Sequence, residues 1–304
     1  MNQNTPLPSF DSLLPPDMAK KAENGGVAKA NLGVMNMFAL SVLAGAFIAM
    51  GAIFATTVTT GSTGMLSYGV ARLLAGVVFC LGLILVIVAG AELFTGNNLI
   101  IMAWASRKVS TRLLLRNWTI VYLGNFVGAI VTAYAMFLSQ QYLFANGGVG
   151  ATALGIANSK TGLSFVQAVF LGIFCNALVC IAVWLSMSAR TTMEKIAAII
   201  FPISAFVAAG FEHSVANMYF IPIGLFIKDG AGPEFWSQIG TTAAAFGNLT
   251  WYNFFVVNLL PVTIGNIIGG TMMVGLVYWF IYLRPSWTTK AEEQDQKEVQ
   301  LKKA

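Results

Sequence analysis

Apolar residues in this chain come in long runs instead of alternating with polar ones. Four runs, at about 36 to 60, 113 to 138, 164 to 188 and 254 to 283, are almost free of charge. At 1.5 Å per residue each is long enough, as a helix, to cross a hydrocarbon core about 30 Å thick. Two further apolar stretches contain interruptions. From Gly69 to Ala105 the sequence is too long for one ordinary span and too short for two with a turn, and a Gly90-Ala91-Glu92 break falls inside it. Lys195 to Ala209 yields only about 22 Å of helix before Gly210 intervenes, and Val215 to Ile227 supplies the missing depth. The pattern predicts six crossings, the second and fifth discontinuous.

The two breaks are spelled alike. Gly90-Ala-Glu92 is followed by Asn97, and Gly210-Phe-Glu212 by Asn217. Downstream of each lies a second shared word, Gly124-Asn125-x-x-Gly128 and Gly265-Asn266-x-x-Gly269. Two related halves with three crossings each must enter the bilayer upside down to one another. The predicted fold is therefore an all-α membrane bundle with an inverted 3+3 repeat, the units at about 31–140 and 160–285. Residues 1–30 read as a cytoplasmic tail and 286–304 as a second, disordered one.

Composition agrees with the class: 57% apolar residues, 10% charged residues and a mean hydropathy of +0.74 exclude a soluble domain. Of the 17 lysines and arginines, all but Arg72, Lys160 and Lys228 fall on one side if both termini are cytoplasmic. The net charge of +5 thus reflects membrane orientation, and nucleic acid is not an expected partner. Cys80, Cys175 and Cys180 lie in apolar stretches and form an odd set, which argues against a disulfide framework or a metal site. The first thirty residues, with Pro6, Pro8, Pro15 and Pro16, lack the apolar core of a cleavable signal. Within them Pro15 to Asn24 predicts a short helix stopped by Gly25 and Gly26, with Phe10, Leu13 and Leu14 resting on the membrane interface. The Gly-, Ala- and Thr-rich stretches 139–163 and 228–250 read as loops on the outer side.

Interrupting a helix at membrane depth frees backbone groups that lipid cannot satisfy, so the breaks mark a cavity. A half-helix N-terminus there suits a partly dehydrated anion. Glu92 and Glu212 are the only acidic residues inside apolar sequence. A bare carboxylate would repel an anion, so they are expected to take freed backbone donors, with Asn97 and Asn217 in the same motif. Asn125 and Asn266 are expected to tie the breaks to neighbouring crossings. His213, the only histidine, sits in the second break and can donate, accept or transfer a proton near neutral pH. Thr95 and Asn176 are candidate partners for its ring. Trp104, Trp118, Trp251, Tyr252 and Trp279 read as interface anchors.

At these residues the chain resembles the formate–nitrite transporter family, its formate channels in particular. The resemblance runs from about Ala30 to Arg284. It is carried by Ala91-Glu92-Leu93-Phe94-Thr95, by Gly210-Phe211-Glu212-His213-Ser214-Val215-Ala216-Asn217 and by Pro261-Val262-Thr263-Ile264-Gly265-Asn266-Ile267-Ile268-Gly269-Gly270. It implies an aquaporin-like bundle in the bacterial inner membrane, assembled as a homopentamer with one pore through each protomer. The family's pore histidine falls on His213, its loop threonine on Thr95, its vestibule lysine on Lys160 and its supporting asparagines on Asn176 and Asn266. Apolar constrictions fall on Phe79, Leu83, Leu93 and Phe206. The chain departs from many formate channels at Glu92, where they have aspartate, and at Gly96, where they have serine.

The expected activity is passage of formate or a similar small anion, drawn in by Lys160, stripped of water by the apolar rings, and sharing charge or a proton with His213. Nitrite and hydrosulfide are alternatives within the family. A neutral-solute channel would carry Asn-Pro-Ala at its half-helices, and neither break does. An enzyme or pump is disfavoured: there is no His-Glu-x-x-His, no second histidine for zinc and no Gly-x-x-x-x-Gly-Lys-Ser/Thr word. No cofactor or metal is expected.

Overall fold

A long apolar run can satisfy its own backbone away from water only by coiling, and each run becomes a helix. In the computed structural model, which describes residues 11–284, α1 spans Pro15–Ala30, α2 Val34–Thr59 and α3 Tyr68–Ala89. After the first break come two short helices, α4 Phe94–Asn97 and α5 Ile101–Ala105, joined by a single 3₁₀ turn. Next are α6 Thr111–Leu138, α7 Gly148–Thr161, α8 Phe165–Ser188 and α9 Thr192–Ala208. The second break leads to α10 Ser214–Gly230, α11 Pro233–Gln238 and α12 Asn253–Tyr282, which contains two π-helical stretches. Five helices (α2, α3, α6, α8 and α12) are long and apolar enough to cross a membrane. The sequence expectations for Phe10 and for the C-terminal tail lie outside the described residues.

Local chemistry fixes the ends. Ser110 caps α6 by accepting from the Leu113 N–H, and α8 and α9 start with reciprocal capping boxes, Ser164 with Gln167 and Thr191 with Glu194. α3 ends on Gly90 at φ 80°, and Gly210, just past α9, has φ 76°. This left-handed conformation strains any residue with a Cβ, so the glycine in each repeated word is what turns the chain out of the helix.

The packing is pairwise and repeated. α2 lies against α3 and α6, α8 lies against α9 and α12, and the equivalent helices α3 and α9 meet at the centre. There Arg72, near the start of α3, donates to carbonyls at the end of α9, and the Cys80 thiol, further along, contacts the earlier Ile200 carbonyl at 3.5 Å. Equivalent helices that pack antiparallel are the arrangement that inverted repeats require. Gly128 on α6 and Gly269 on α12 each press onto a carbonyl of the partner helix, Val42 and Ile173, with no room for a Cβ. Both glycines come from the repeated word, whose second role is close helix approach.

The repeat reaches further than the sequence suggested. α7, expected as loop, is a helix, and α1 runs straight through Gly25 and Gly26 to Ala30. The two are equivalents. α1 buries Met18, Ala19, Ala22, Glu23, Gly26 and Ala30, and α7 buries Val149, Gly150, Ala153, Leu154, Ala157 and Thr161, with identical spacing. Nor is α1 a solvated tail: it packs against α5, α8 and the 3₁₀ turn at Asn98–Ile100. Glu23 pairs with Lys108, and the Leu13 N–H donates to the Ser188 carbonyl at 3.0 Å. Lys21 donates to the Met187 carbonyl at 2.9 Å. Burial first, then the neighbouring Lys195 and Arg190, hold that ammonium below the ordinary lysine range. A mid-helix glycine costs about 1 kcal/mol against alanine. Gly26 is tolerated because it faces the Ile100 backbone, 3.3 Å from where a Cβ would stand.

Candidate functional site

Each break is held by the same set of bonds. In the first, the Glu92 N–H donates to the Leu40 carbonyl at 3.2 Å and the Phe94 N–H to Asn125 Oδ1 at 2.9 Å. Asn125 Nδ2 donates in turn to the Ser41 and Glu92 carbonyls. In the second, the Glu212 N–H donates to the Leu171 carbonyl at 3.3 Å and the Ser214 N–H to Asn266 Oδ1 at 2.9 Å, while Asn266 Nδ2 serves the Gly172 and Glu212 carbonyls. One asparagine amide therefore satisfies both an N–H and a carbonyl of each interruption and ties it to the neighbouring helix, supplying partners that lipid lacks.

The carboxylates do not take freed backbone donors, contrary to expectation. Glu92 Oε1 accepts from Lys29 Nζ at 2.7 Å and Oε2 from Asn97 Nδ2 at 2.6 Å. Glu212 Oε1 accepts from Lys160 Nζ at 2.7 Å and Oε2 from Asn217 Nδ2 at 2.7 Å. Asn117 and Asn258 close the two clusters, each accepting from the motif asparagine and donating to the carbonyl of the lysine. The backbone donors had already been claimed by Asn125 and Asn266, and a buried carboxylate is stabilised most by a cation and a second donor. Lys29, Asn117 and Asn258 escaped the sequence reading. A signal existed: asparagines recur eight residues apart in both halves, at Asn117 and Asn125 and at Asn258 and Asn266.

His213 is the N-cap of α10 and joins the two breaks. Its Nδ1 accepts from the Ala216 N–H at 3.0 Å, and its Nε2 lies 2.9 Å from Thr95 Oγ1. With Nδ1 acting as acceptor, the proton of a neutral ring belongs on Nε2, donated to the threonine hydroxyl. Phe206 stacks on the imidazole at 5.9 Å between centroids, and Phe79 meets Phe206 edge-on at 5.6 Å. Above these rings lies a cavity of about 740 Å³, lined by Phe79, Phe206, Phe220, His213, Lys160 and Arg72 among others. It extends from the exposed loop at Thr63 and Gly64 to the buried histidine.

Other expected residues sit elsewhere. Asn176 does not touch the imidazole; it donates to Asn98 Oδ1 at 2.9 Å and to the Asn266 carbonyl at 2.6 Å, clamping the breaks together. Leu83 and Leu93 are buried but do not line the cavity. Trp118, read as an interface anchor, donates to the Asn97 carbonyl at 3.1 Å and so supports the first break. Phe220 and Arg72 were not singled out by sequence, because an aromatic ring or a cation in a membrane helix carries no mark of the cavity it faces.

A family profile described as formate/nitrite transporter matches residues 16–280, nearly the whole described chain and α1 with it. The chain belongs to the formate/nitrite transporter family. It is 49% identical over 275 residues to a protein named formate channel FocA from Escherichia coli, covering 90% of this chain and 96% of that one. To a probable formate transporter from Methanothermobacter thermautotrophicus it is 39% identical over 293 residues, covering 91% and 98%. Among solved structures it resembles a pentameric formate channel with formate bound, with a TM-score of 0.79 and 45% identity over 83% of this chain and 98% of that one. A second neighbour, an ion channel of the same family, gives a TM-score of 0.71 at 30% identity over 88% and 99%. These relatives are channels and transporters, and the apolar helices of this family member make it a membrane protein.

Proposed function

We propose that the protein is a channel for formate and related small monovalent weak-acid anions, working as a homopentamer with a pore through each protomer. The bacterial inner membrane is its place, with both termini in the cytoplasm and the 740 Å³ cavity facing outward. The names and assembly of the relatives support this reading, as does the concentration of basic residues on the α1 side.

The observation that carries the mechanism is the His213–Thr95 contact beneath an aromatic floor, joining the two breaks. An anion entering the cavity meets Lys160, half of whose task is already to neutralise Glu212. It then reaches Phe79 and Phe206, which offer no hydrogen bonds, and sheds water. Charge at the bilayer centre costs at least about 3 kcal/mol, so His213, steadied by Thr95, offers the anion its Nε2–H as a hydrogen bond. A proton taken up by the ring from the cavity and passed to the anion returns the imidazole to its neutral form and lets a neutral acid pass. Formate uptake by liposomes carrying the wild type, His213→Ala and His213→Asn, measured across pH, tests this. The reading expects loss of flux and of its pH response in both variants; unchanged flux with an unchanged response removes the histidine from the mechanism. Competition by nitrite, hydrosulfide and acetate in the same vesicles ranks the permeant anions.

A further inference from the structure

Two cations line the cavity, and they differ in what they already hold. Lys160 is bound to a carboxylate at 2.7 Å, and both partners are largely buried, 15% and 6% exposed at the side chain. Lysine and glutamate together present a dipole to an approaching anion. Arg72 is half-buried and bonds only to carbonyls, those of Val207 and Ala208 in the last turn of α9. It belongs to no ion pair among the described residues. No aspartate or glutamate is among the residues lining the cavity. The carbonyls carry no formal charge and offset the guanidinium only in part, as a helix C-terminus does, so a net positive charge remains. The two contacts use Nε and Nη2, and of the five N–H groups of the guanidinium others remain for a planar carboxylate or a comparable oxyanion.

The geometry points to Arg72, not Lys160, as the residue that collects the anion in the outer cavity before it reaches the aromatic floor. α9 holds the guanidinium in place by its C-terminal carbonyls, where a cation is favoured by the helix dipole. The charge is therefore fixed on the cavity wall at no further ordering cost. A net positive charge in a cleft with low-dielectric walls raises local anion concentration, and salt screens the effect. Lys160 then acts later, as the partner that keeps Glu212 from repelling the anion.

This inference rests on anion passage through the cavity, and its test separates the two. Formate entry into liposomes is measured for the wild type, Arg72→Gln and Arg72→Lys at low ionic strength, on the order of 10 mM, and at high, on the order of 0.5 M, where the screening lengths are about 30 Å and less than 8 Å. Arg72→Gln should lower entry on the order of tenfold at low salt and approach the wild type at high salt, flattening the salt dependence. Arg72→Lys keeps the charge and should keep the wild-type salt profile. A wild-type profile in Arg72→Gln overturns the inference. So does an equal, salt-independent loss in both variants, which makes the residue only a fastener of α9. Should Arg72→Gln fail to assemble, Arg72→Lys decides alone: a retained salt profile supports the proposal and a flat one overturns it. Absence of formate entry in the wild type at either salt would instead remove the proposed function itself.

Discussion

The Lys29–Glu92–Asn97 cluster and the Lys160–Glu212–Asn217 cluster are built from the same bonds, on opposite sides of the molecule, by segments read in opposite directions. Beside them the two breaks part company: Leu93-Phe94-Thr95 stands where the other half has His213-Ser214-Val215. The helices that deliver the lysines differ too. On α7, Ala151, Thr152, Gly155 and Ile156 line the cavity. At the matching positions α1 carries Lys20, Lys21, Asn24 and Gly25 and lies across the ends of its neighbours. The two halves share a scaffold that stabilises two helix interruptions, and divergence at a few side chains gives one interruption the histidine and the other the threonine it meets.

Unequal burial of the two lysines gives the largest expected contrast. Glu212→Ala leaves Lys160 buried without its carboxylate and should cost about 3–5 kcal/mol. Glu92→Ala should cost less, since Lys29 is 39% exposed and keeps Asn97 Oδ1 at 3.0 Å. Thermal unfolding of the purified oligomers checks this, and equal losses would break the asymmetry. Next comes His213→Leu, which copies the residue of the first half into the second. It should reduce formate flux on the order of a hundredfold, the lower end of what a positioned proton donor contributes, with little loss of assembly. Flux near the wild type would mean that the divergence at this position has no bearing on transport.

The asparagine brackets should instead behave alike. Asn125→Ala and Asn266→Ala each orphan a buried backbone N–H and should cost about 1–3 kcal/mol, read as matching shifts in unfolding temperature. A loss confined to one of them would show that the two breaks are not supported equally. Smallest is Gly25→Ala. No atom lies within 4 Å of where the new Cβ would stand, so if α1 is a docked helix the change should stabilise by about 0.4–1 kcal/mol. No shift in unfolding temperature would return α1 to the status of a tail.

The breaks were legible because glycine at positive φ and asparagine beside a freed backbone are local requirements that sequence must write down. Gly90, Gly210, Asn125 and Asn266 could be read for that reason. Partners across the fold could not. Nothing near Lys29 in sequence marks it as the counter-ion of Glu92, and the polar look of α1 and the small-residue look of α7 concealed that both bury the same face. Asn176 was misread for a similar reason: its distance from His213 depends on how α8 sits between the breaks, which hydropathy does not encode.

By itself the sequence determined the membrane class and the two interruptions, since each follows from run length or glycine placement. Tertiary structure alone decided which cation meets which carboxylate, that the histidine ring spans to Thr95, and that Arg72 lines the cavity with no carboxylate partner among the described residues. Those outcomes depend on distances between segments far apart along the chain, and such distances are set by helix packing, not by any local pattern.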